Sequence, residues 1–189
     1  MSDVSTRSIN GIELPPAGAY GFDQAHTTVG FVARHMLSKV HGRFTAYDGQ
    51  VKIGEAVEDS SVHVEIKADS ITTDNEQRDG HLRSSDFFEI ETYPTLSFTS
   101  TAFRAGKGKA FELDGDLTVR GVTRPVTLTG EFLGWGPGMQ GGTLASFTAA
   151  TTIDREDFEL TWNVAVETGG WLVGKKIDIV IDADLVLED

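Results

Sequence analysis

The sequence predicts an all-β protein, a single antiparallel barrel around an apolar interior, and three observations lead to this prediction. Successive segments alternate apolar and polar residues with a period of two, which is typical of half-buried strands. Glycine supplies 21 of the 189 residues, and clusters of Gly, Asn and Asp separate the segments, as tight turns require. Strands with one apolar face bury it in a sandwich or a closed barrel, and the hairpin-like spacing of consecutive segments favours an up-and-down barrel.

The alternating segments cover most of the chain. In the clearest one, residues 61–68, apolar residues alternate with His, Glu and Lys. The segment at 40–53 is long for one strand and changes phase once, which predicts a bulge or bend near Asp48 and Gly49. The predicted strands are residues 19–23, 27–34, 40–53, 61–68, 95–103, 110–119, 124–135, 143–153 and 176–187.

Residues 74–84 break the alternation and predict a short helix. Thr73, followed three positions later by Glu76, forms a capping box, which is a sequence signature of a helix N-terminus. Leu82 is the one large apolar residue of this polar stretch, so the helix cannot lie in a core. We therefore expect it to form a lid across one end of the sheet, above the apolar residues among 87–90.

The chain is long enough for one well-buried domain. Residues 1–17 are polar, end in Pro15 and Pro16 and show no sustained period, so they are predicted to form a flexible N-terminal arm. Residues 18–189 are predicted to form the single barrel domain.

Composition excludes several classes of function. A formal net charge of −13 argues against a surface for nucleic acid or anionic membranes, which need concentrated Lys and Arg. The absence of cysteine removes disulfides, thiolate nucleophiles and Cys-ligated zinc. The sequence contains no stretch of about 18 apolar residues that could span a bilayer, so stable membrane insertion is not expected. The first residues lack the apolar core of a signal peptide, and we therefore expect a cytoplasmic location.

Small residues on the predicted inner faces favour a cavity. A barrel of about eight strands is just wide enough to be filled by its own side chains or to hold one small ligand. Large residues opposite the small ones could fill the space instead, so periodicity leaves both alternatives open. The small inward residues are Gly30, Ala33, Ala68, Gly115, Gly130, Ala149, Thr151 and Ala183.

A family resemblance goes further than periodicity. Its ordered blocks read GFDQAHTTVGFVARHM, RDGHLRSSDFFEIETYPTLSF, DGDLTVRGVTRPVTL, TIDREDFELTWN and VGKKIDIVIDADL. Over about residues 20–187 they resemble the YceI-like family of polyisoprenoid-binding, lipocalin-like proteins. The resemblance implies an extended eight-stranded antiparallel barrel whose apolar tunnel binds a polyprenol, a polyprenyl phosphate or an isoprenoid quinone, with neither enzymatic activity nor a cofactor.

The chain departs from the family pattern in two respects. Members of the family are often exported, whereas no signal peptide is visible here. Glu159 stands where related sequences commonly carry Gly, which predicts a carboxylate near the mouth of the barrel.

The ligand site is predicted on the inner faces, although the same residues could form an ordinary core. The tunnel residues are expected to be Val29, Phe31, Phe44, Val64, Ile66, Phe88, Leu96, Phe98, Phe111, Leu113, Leu117, Val126, Leu128, Phe132, Phe147, Ile153, Trp162, Ile179 and Ile181. A polar set could contact a head group or tie the lid to the sheet, and it comprises His26, His35, His81, Arg83 and Asp86. Arginines at the lid and strand ends suit a phosphate, but the plentiful carboxylates favour ion pairs instead.

Catalytic and metal-binding motifs are not found in the sequence. The five histidines contain no HxH or HExxH pair, so no metal site is predicted. No GxSxG, no complete GxxxxGK[ST] and no GxGxxG that opens a helix after a strand is present. Two alternatives to a carrier stay open: an enzyme on an apolar substrate with His35 or His81 as base and an arginine as electrophile, or a structural or stress protein with a filled barrel. A homodimer also stays open.

Overall fold

The computed structural model describes residues 7–139 and 141–188, so residues 1–6 of the predicted arm lie outside the described residues. One α-helix, α1, spans Glu76–Arg83, and short 3₁₀ helices span Val57–Asp59, Ala68–Ser70 and Arg155–Phe158. The strands are β1 (Ser8–Ile9), β2 (Ile12–Glu13), β3 (Gly18–Phe22), β4 (Thr28–His35), β5 (Ser38–Phe44), β6 (Tyr47–Ile53), β7 (Ser61–Lys67), β8 (Ile71–Thr72), β9 (Thr95–Ala105), β10 (Ala110–Val119), β11 (Val122–Pro137), β12 (Thr143–Asp154) and β13 (Val173–Leu187).

The large sheet closes on itself, which confirms the predicted eight-stranded antiparallel barrel. Its ring runs β12-β11-β10-β9-β7-β6-β3-β13, and the pairing of β12 with β13 completes it. The strand β13 pairs with β3 through residues 185–187 and with β4 through residues 173–182, so β3 and β4 together form one side of the barrel. Strands β5 and β6 pair with β4 and β3 in the same way. Neighbours in the barrel therefore follow chain order, as an up-and-down barrel requires.

The bend in the 40–53 segment lies elsewhere than predicted. The break falls at Thr45 and Ala46, between β5 and β6, because the amide of Thr45 leaves the ladder and donates to the carbonyl of Ser70 at 3.2 Å. Gly49 stays within β6. A Cβ at this position would come within 2.1 Å of the carbonyl oxygen of His63, so the glycine allows the close approach of β7 and does not mark a bend.

Part of the predicted flexible arm forms a hairpin. Strands β1 and β2 pair around Asn10 and Gly11, whose φ angles of 52° and 78° suit a tight hairpin turn. The guanidinium of Arg7 donates to the carbonyls of Gly54 and Glu55. The hairpin thereby lies across the end of the barrel opposite α1.

The lid helix forms, but its N-cap differs from the prediction. Asn75 caps the helix, and its side chain accepts a hydrogen bond of 2.9 Å from the amide of Arg78. Thr73 binds Asp79 instead: the buried carboxylate accepts from the amide and hydroxyl of Thr73 at 2.8 and 2.5 Å and from the hydroxyl of Thr72 at 3.1 Å. Burial alone would raise the pKa of Asp79, but these hydrogen bonds together lower it below its usual value.

Arg83 joins the same end of the helix to the sheet. Its guanidinium donates to the carbonyls of Asp69 and Ile71, both at 2.8 Å. Asp79 and Arg83 therefore both tie α1 to the segment that leads into it, residues 69–73.

Gly80→Ala is expected to raise the free energy of unfolding by about 0.5–1 kcal/mol. Gly80 lies within α1, and a Cβ there would meet no atom within 4 Å, so only the helix propensity changes. Gly49→Ala is the contrasting variant and should destabilise the protein, because its Cβ meets the backbone of β7. Urea unfolding of both variants tests the pair, and equal effects would contradict this account.

Asp79→Asn is expected to lower the free energy of unfolding by about 1–3 kcal/mol near neutral pH, because it disrupts hydrogen bonds to a buried carboxylate. The pKa of Asp79 is lower in the folded protein than in the unfolded chain. Its stabilising contribution is therefore complete above the unfolded value of about 3.9 and is lost as the pH falls through the folded value. Unfolding curves from pH 7 to acid should show the two proteins converging, whereas a constant difference would contradict the prediction.

Candidate functional site

A cavity of about 360 Å³ runs along the inside of the barrel. This volume lies within the usual range for small-molecule sites. At one end Ile9, Ile12 and Leu14 of the N-terminal segment line it, and at the other end Phe87 and Phe158 lie beneath the lid. The interior is therefore not continuously packed, and the cavity extends between both closures.

The predicted tunnel residues line this cavity, with Trp162 as the exception. Whether they contact a ligand stays a prediction. The lining side chains that the sequence predicted are Val29, Phe31, Phe44, Val64, Ile66, Phe88, Leu96, Phe98, Phe111, Leu113, Leu117, Val126, Leu128, Phe132, Phe147, Ile153, Ile179 and Ile181.

Some residues that line the cavity were not predicted from the sequence. Val51, Ile53 and Phe103 were detectable, because they continue the inward phase of their strands. The residues of the N-terminal hairpin could not be detected in this way, because strands of two residues are too short to show an alternation of apolar and polar residues. The sequence signal for the hairpin was its Asn10–Gly11 turn.

Three phenylalanine–glycine pairs keep aromatic rings against the wall. A Cβ at Gly42 would lie 2.2 Å from the ring of Phe31, and one at Gly130 would lie 2.2 Å from the ring of Phe111. Both pairs are direct cross-strand partners. At Gly115 the ring of Phe98 lies 2.4 Å from the Cβ position. Gly42, Gly115 and Gly130 therefore accommodate neighbouring rings, and of the small residues expected to line the cavity, Ala68, Gly115 and Gly130 do not.

An aromatic cluster lies at the lid. His81 stacks edge-on against Trp162 and Phe87, with ring centroids 4.5 and 5.1 Å away, and its Nε2 lies 2.8 Å from Oδ2 of Asp86. Trp162 is held in this cluster, which explains why it lies off the cavity wall. The stacking of His81 on Trp162 thus joins the lid to the segment around residue 162, and Asp86 holds the His81 ring in place.

The predicted histidines do not all meet at one end. His26 is exposed in the turn between β3 and β4, where its Nδ1 lies 2.8 Å from Oδ2 of Asp23. This hydrogen bond raises the pKa of His26. His35 ends β4, at the lid end of the barrel. Arg83 donates hydrogen bonds to the backbone carbonyls of Asp69 and Ile71, as described above, and so fixes the lid helix to the sheet.

In addition to Asp79, Arg155 is a second charged residue buried at the lid end. Only 3 % of it is exposed, and it lines the cavity. Its guanidinium donates to the carbonyls of Gly174 at 3.0 Å, Val173 at 3.5 Å and Leu160. Burial lowers its pKa, and the nearby carboxylates partly offset this effect.

The ion pairs expected for the arginines are therefore only partly present. Arg120 does pair with Glu89, at 2.8 Å. Around Arg155, by contrast, the two adjacent carboxylates are engaged by lysines, since Lys175 lies 2.7 Å from Glu156 and Lys176 lies 3.5 Å from Asp154.

Across residues 7–139 and 141–188, no three His, Asp or Glu side chains are grouped so as to hold a metal ion. No helix in the same ranges is long and apolar enough to cross a membrane.

Comparison with known proteins identifies the family. The model of the YceI-like domain matches residues 20–185, almost the whole barrel. The chain belongs to the YceI-like family. Among curated relatives of this YceI-like protein, a UPF0312 protein of Photorhabdus laumondii is 39% identical over 135 residues, 70% of each chain. A UPF0312 protein of Pseudomonas putida is 36% identical over 146 residues, 75% of this chain and 76% of the relative.

Solved structures share the fold of the YceI-like protein. Burkholderia cenocepacia BcnA superposes with a TM-score of 0.74 at 23% identity, covering 86% of this chain and 98% of BcnA. The Campylobacter jejuni YceI protein gives 0.72 at 26% identity, covering 82% and 90%. A domain from Saccharophagus degradans, described as polyisoprenoid-binding, gives 0.64 at 14% identity, covering 92% and 100%.

Glu159 occupies a left-handed backbone position. Its φ of 61° ends the 3₁₀ helix Arg155–Phe158, and its amide donates to the carbonyl of Glu156. A glycine adopts this conformation without strain, whereas non-glycine residues take it rarely. The Glu159 side chain itself is exposed.

Gly130→Ala is expected to push the ring of Phe111 off the wall and to crowd the carbonyl oxygen of Thr148, which lies 2.5 Å from the Cβ position, so that the cavity narrows at a cost of about 1–3 kcal/mol in stability. Titration with a long-chain apolar fluorophore should show weaker uptake by this variant. Gly136→Ala is the matched control, because it lies on the same strand and its Cβ would meet no atom within 4 Å. Equal uptake of the fluorophore by the two variants would show that Gly130 does not determine the width of the cavity.

Proposed function

We propose that this YceI-like protein binds and carries a long-chain isoprenoid lipid inside its barrel. The apolar cavity between the N-terminal hairpin and the lid is the observation that carries the proposal. Burial of an apolar chain there gains roughly 25 cal/mol per Å² removed from water. The description of the Saccharophagus degradans domain as polyisoprenoid-binding supports the same ligand class.

The shape of the cavity favours a linear ligand. Strand β12 has 12 residues, so at ~3.3 Å per residue it extends about 40 Å along its own direction. With the usual strand tilt of roughly 35–45°, the barrel is about 30 Å tall. A volume of about 360 Å³ distributed over much of this height makes a narrow bore. Such a bore suits an unbranched or methyl-branched chain better than a compact polycyclic molecule.

Arg155 supports placement of the ligand head group at the lid end. A guanidinium has five N–H donors, and the three carbonyl contacts described above occupy three of them. The remaining donors suit the oxygen atoms of a phosphate, a hydroxyl or a quinone. Lys109 also lines the cavity, but it lies exposed at the opposite end and donates to the carbonyl of Leu133.

Binding without catalysis is the better-supported function. Within the described residues His81 lies outside the cavity wall, and its Nε2 already contacts Asp86. A carrier needs only the apolar bore and a polar anchor, whereas the enzyme alternative needs a base that faces the substrate. The cytoplasmic location stays a prediction.

Organic extraction of natively purified protein, followed by mass spectrometry, tests the proposal. An isoprenoid lipid should co-purify with the wild type. Leu128→Asp should lose it, because an unpaired charge in the dry bore is costly, whereas Thr129→Asp on the outer face of the same strand should retain it.

Two further observations keep the result interpretable. Circular dichroism should show that Leu128→Asp remains folded; if it unfolds, Gly130→Ala provides the test of the bore. A wild-type protein that yields no lipid and also fails to bind added polyprenol or isoprenoid quinone would contradict the proposal.

A further inference from the structure

Exposed apolar side chains gather around the lid end of the barrel. Leu37 is 96 % exposed and Trp171 61 % exposed, and about half of Met36 and of Val164 is exposed. We call these four residues the mouth patch. Large apolar side chains clustered on a surface mark an interaction site more often than isolated ones do.

Backbone contacts bring the four residues onto one surface. The amide of Met36, at the tip of the β4–β5 hairpin, donates to the carbonyl of Leu172 at 2.8 Å. The amide of Leu172 donates in turn to the carbonyl of Val164 at 2.9 Å. Trp171 immediately precedes Leu172, so the hairpin tip and the loop before β13 form one edge.

The hairpin that carries this edge is basic in a strongly acidic protein. Residues 28–47 contain no Asp or Glu, although the whole chain has a net charge of −13. Arg34 and Lys39 lie directly opposite each other in the β4–β5 register. Like charges in that arrangement destabilise a sheet.

Folding does not compensate this repulsion. Among the described residues, neither Arg34 nor Lys39 takes part in an ion pair, whereas Arg43 lower on the hairpin lies 3.1 Å from Asp74. An external anion beside the tip would relieve the repulsion. The charge pattern therefore indicates an anionic partner at the place where apolar side chains are exposed.

Acidic groups also lie at this end of the barrel. Glu156 and Asp154 are engaged by Lys175 and Lys176, as described above. Glu167 is exposed in the loop between Trp162 and Trp171. The lid helix adds the exposed Glu76. These carboxylates would orient an anionic surface toward the β4–β5 hairpin, which contains no Asp or Glu.

We propose that the mouth patch docks the protein on a phospholipid bilayer that contains anionic lipids. Apolar and Trp side chains flanked by Lys and Arg are the composition that binds the interfacial region of membranes. The charges of the remaining barrel lie farther from such a surface, and salt screens them over about 8–10 Å. Four side chains make this a reversible, peripheral contact.

The docked edge adjoins the tunnel. Val173, which follows Leu172, lines the cavity, and its carbonyl accepts from Arg155. Docking would thus place the lid end of the bore against the bilayer. The mouth patch would then be the surface at which a lipid enters or leaves the bore, a role separate from ligand binding by the cavity wall.

Flotation with phosphatidylcholine vesicles containing a minor fraction of phosphatidylglycerol tests the docking in the absence of isoprenoid. The wild type should float with these vesicles, less with pure phosphatidylcholine, and less at high salt. The variants Met36→Ser with Leu37→Ser, and Arg34→Glu with Lys39→Glu, should each reduce the bound fraction at least about tenfold.

Matched variants at the opposite end control for composition and charge. Leu133→Ser with Met139→Ser removes exposed apolar side chains, and Lys52→Glu with Lys107→Glu makes the same charge change, yet both should float like the wild type. Equal loss in the control variants, or no flotation of the wild type, overturns the proposal. A wild-type dimer that Met36→Ser with Leu37→Ser converts to a monomer, without flotation, would assign the patch to a second copy instead.

Ligand binding is measured separately. Met36 and Leu37 do not line the cavity, so their double variant should bind added polyprenol in detergent-free solution like the wild type but acquire it more slowly from vesicles. A protein that floats without binding polyprenol would overturn the proposed function alone. A protein that binds polyprenol without floating would overturn the docking alone.

Discussion

Closure of the sheet through the β12–β13 pairing is the constraint on which the rest of the structure depends. This pairing runs from Leu144 opposite Val186 to Asp154 opposite Lys176, almost the full length of β12. Once the ring is closed, every strand must turn alternate residues inward, and no central edge remains unpaired. The interior is then defined by side-chain size alone. The phenylalanine–glycine pairs leave its centre open because each ring rests on the neighbouring strand.

The sequence predicts the barrel and most of its lining, because alternation is a local property and each strand carries its own inward phase. The elements without a long period could not be found in this way. Trp162 lies between strands, so nothing in its neighbours indicates that it stacks on His81 and not on a ligand. Asp79 resembles the other acids of a polar helix, and only the fold shows that Thr72 and Thr73 surround it.

Averages over the chain conceal local chemistry in two places. The net charge of −13 argues against anionic partners, yet the β4–β5 hairpin contains no carboxylate. The abundance of Asp and Glu suggests that every arginine has an acidic partner, yet Arg155 is held by backbone carbonyls. In both cases the position of a charge in the fold matters more than the number of charges, because electrostatic interactions fall off within about a Debye length in water.

The two closures of the bore have a kinetic consequence. The N-terminal hairpin covers one end, held by the guanidinium of Arg7, and the lid covers the other, held by Asp79 and Arg83. A molecule that leaves the bore through either end must pass one of these covers, so its exchange rate depends on how readily the cover moves and not on equilibrium affinity alone. Occupancy in a purified sample then reflects the history of the protein more than the free lipid concentration around it. Whether a bound lipid is retained when the protein is diluted thus depends on the hairpin and the lid, whereas the affinity for the lipid depends on the residues that line the cavity.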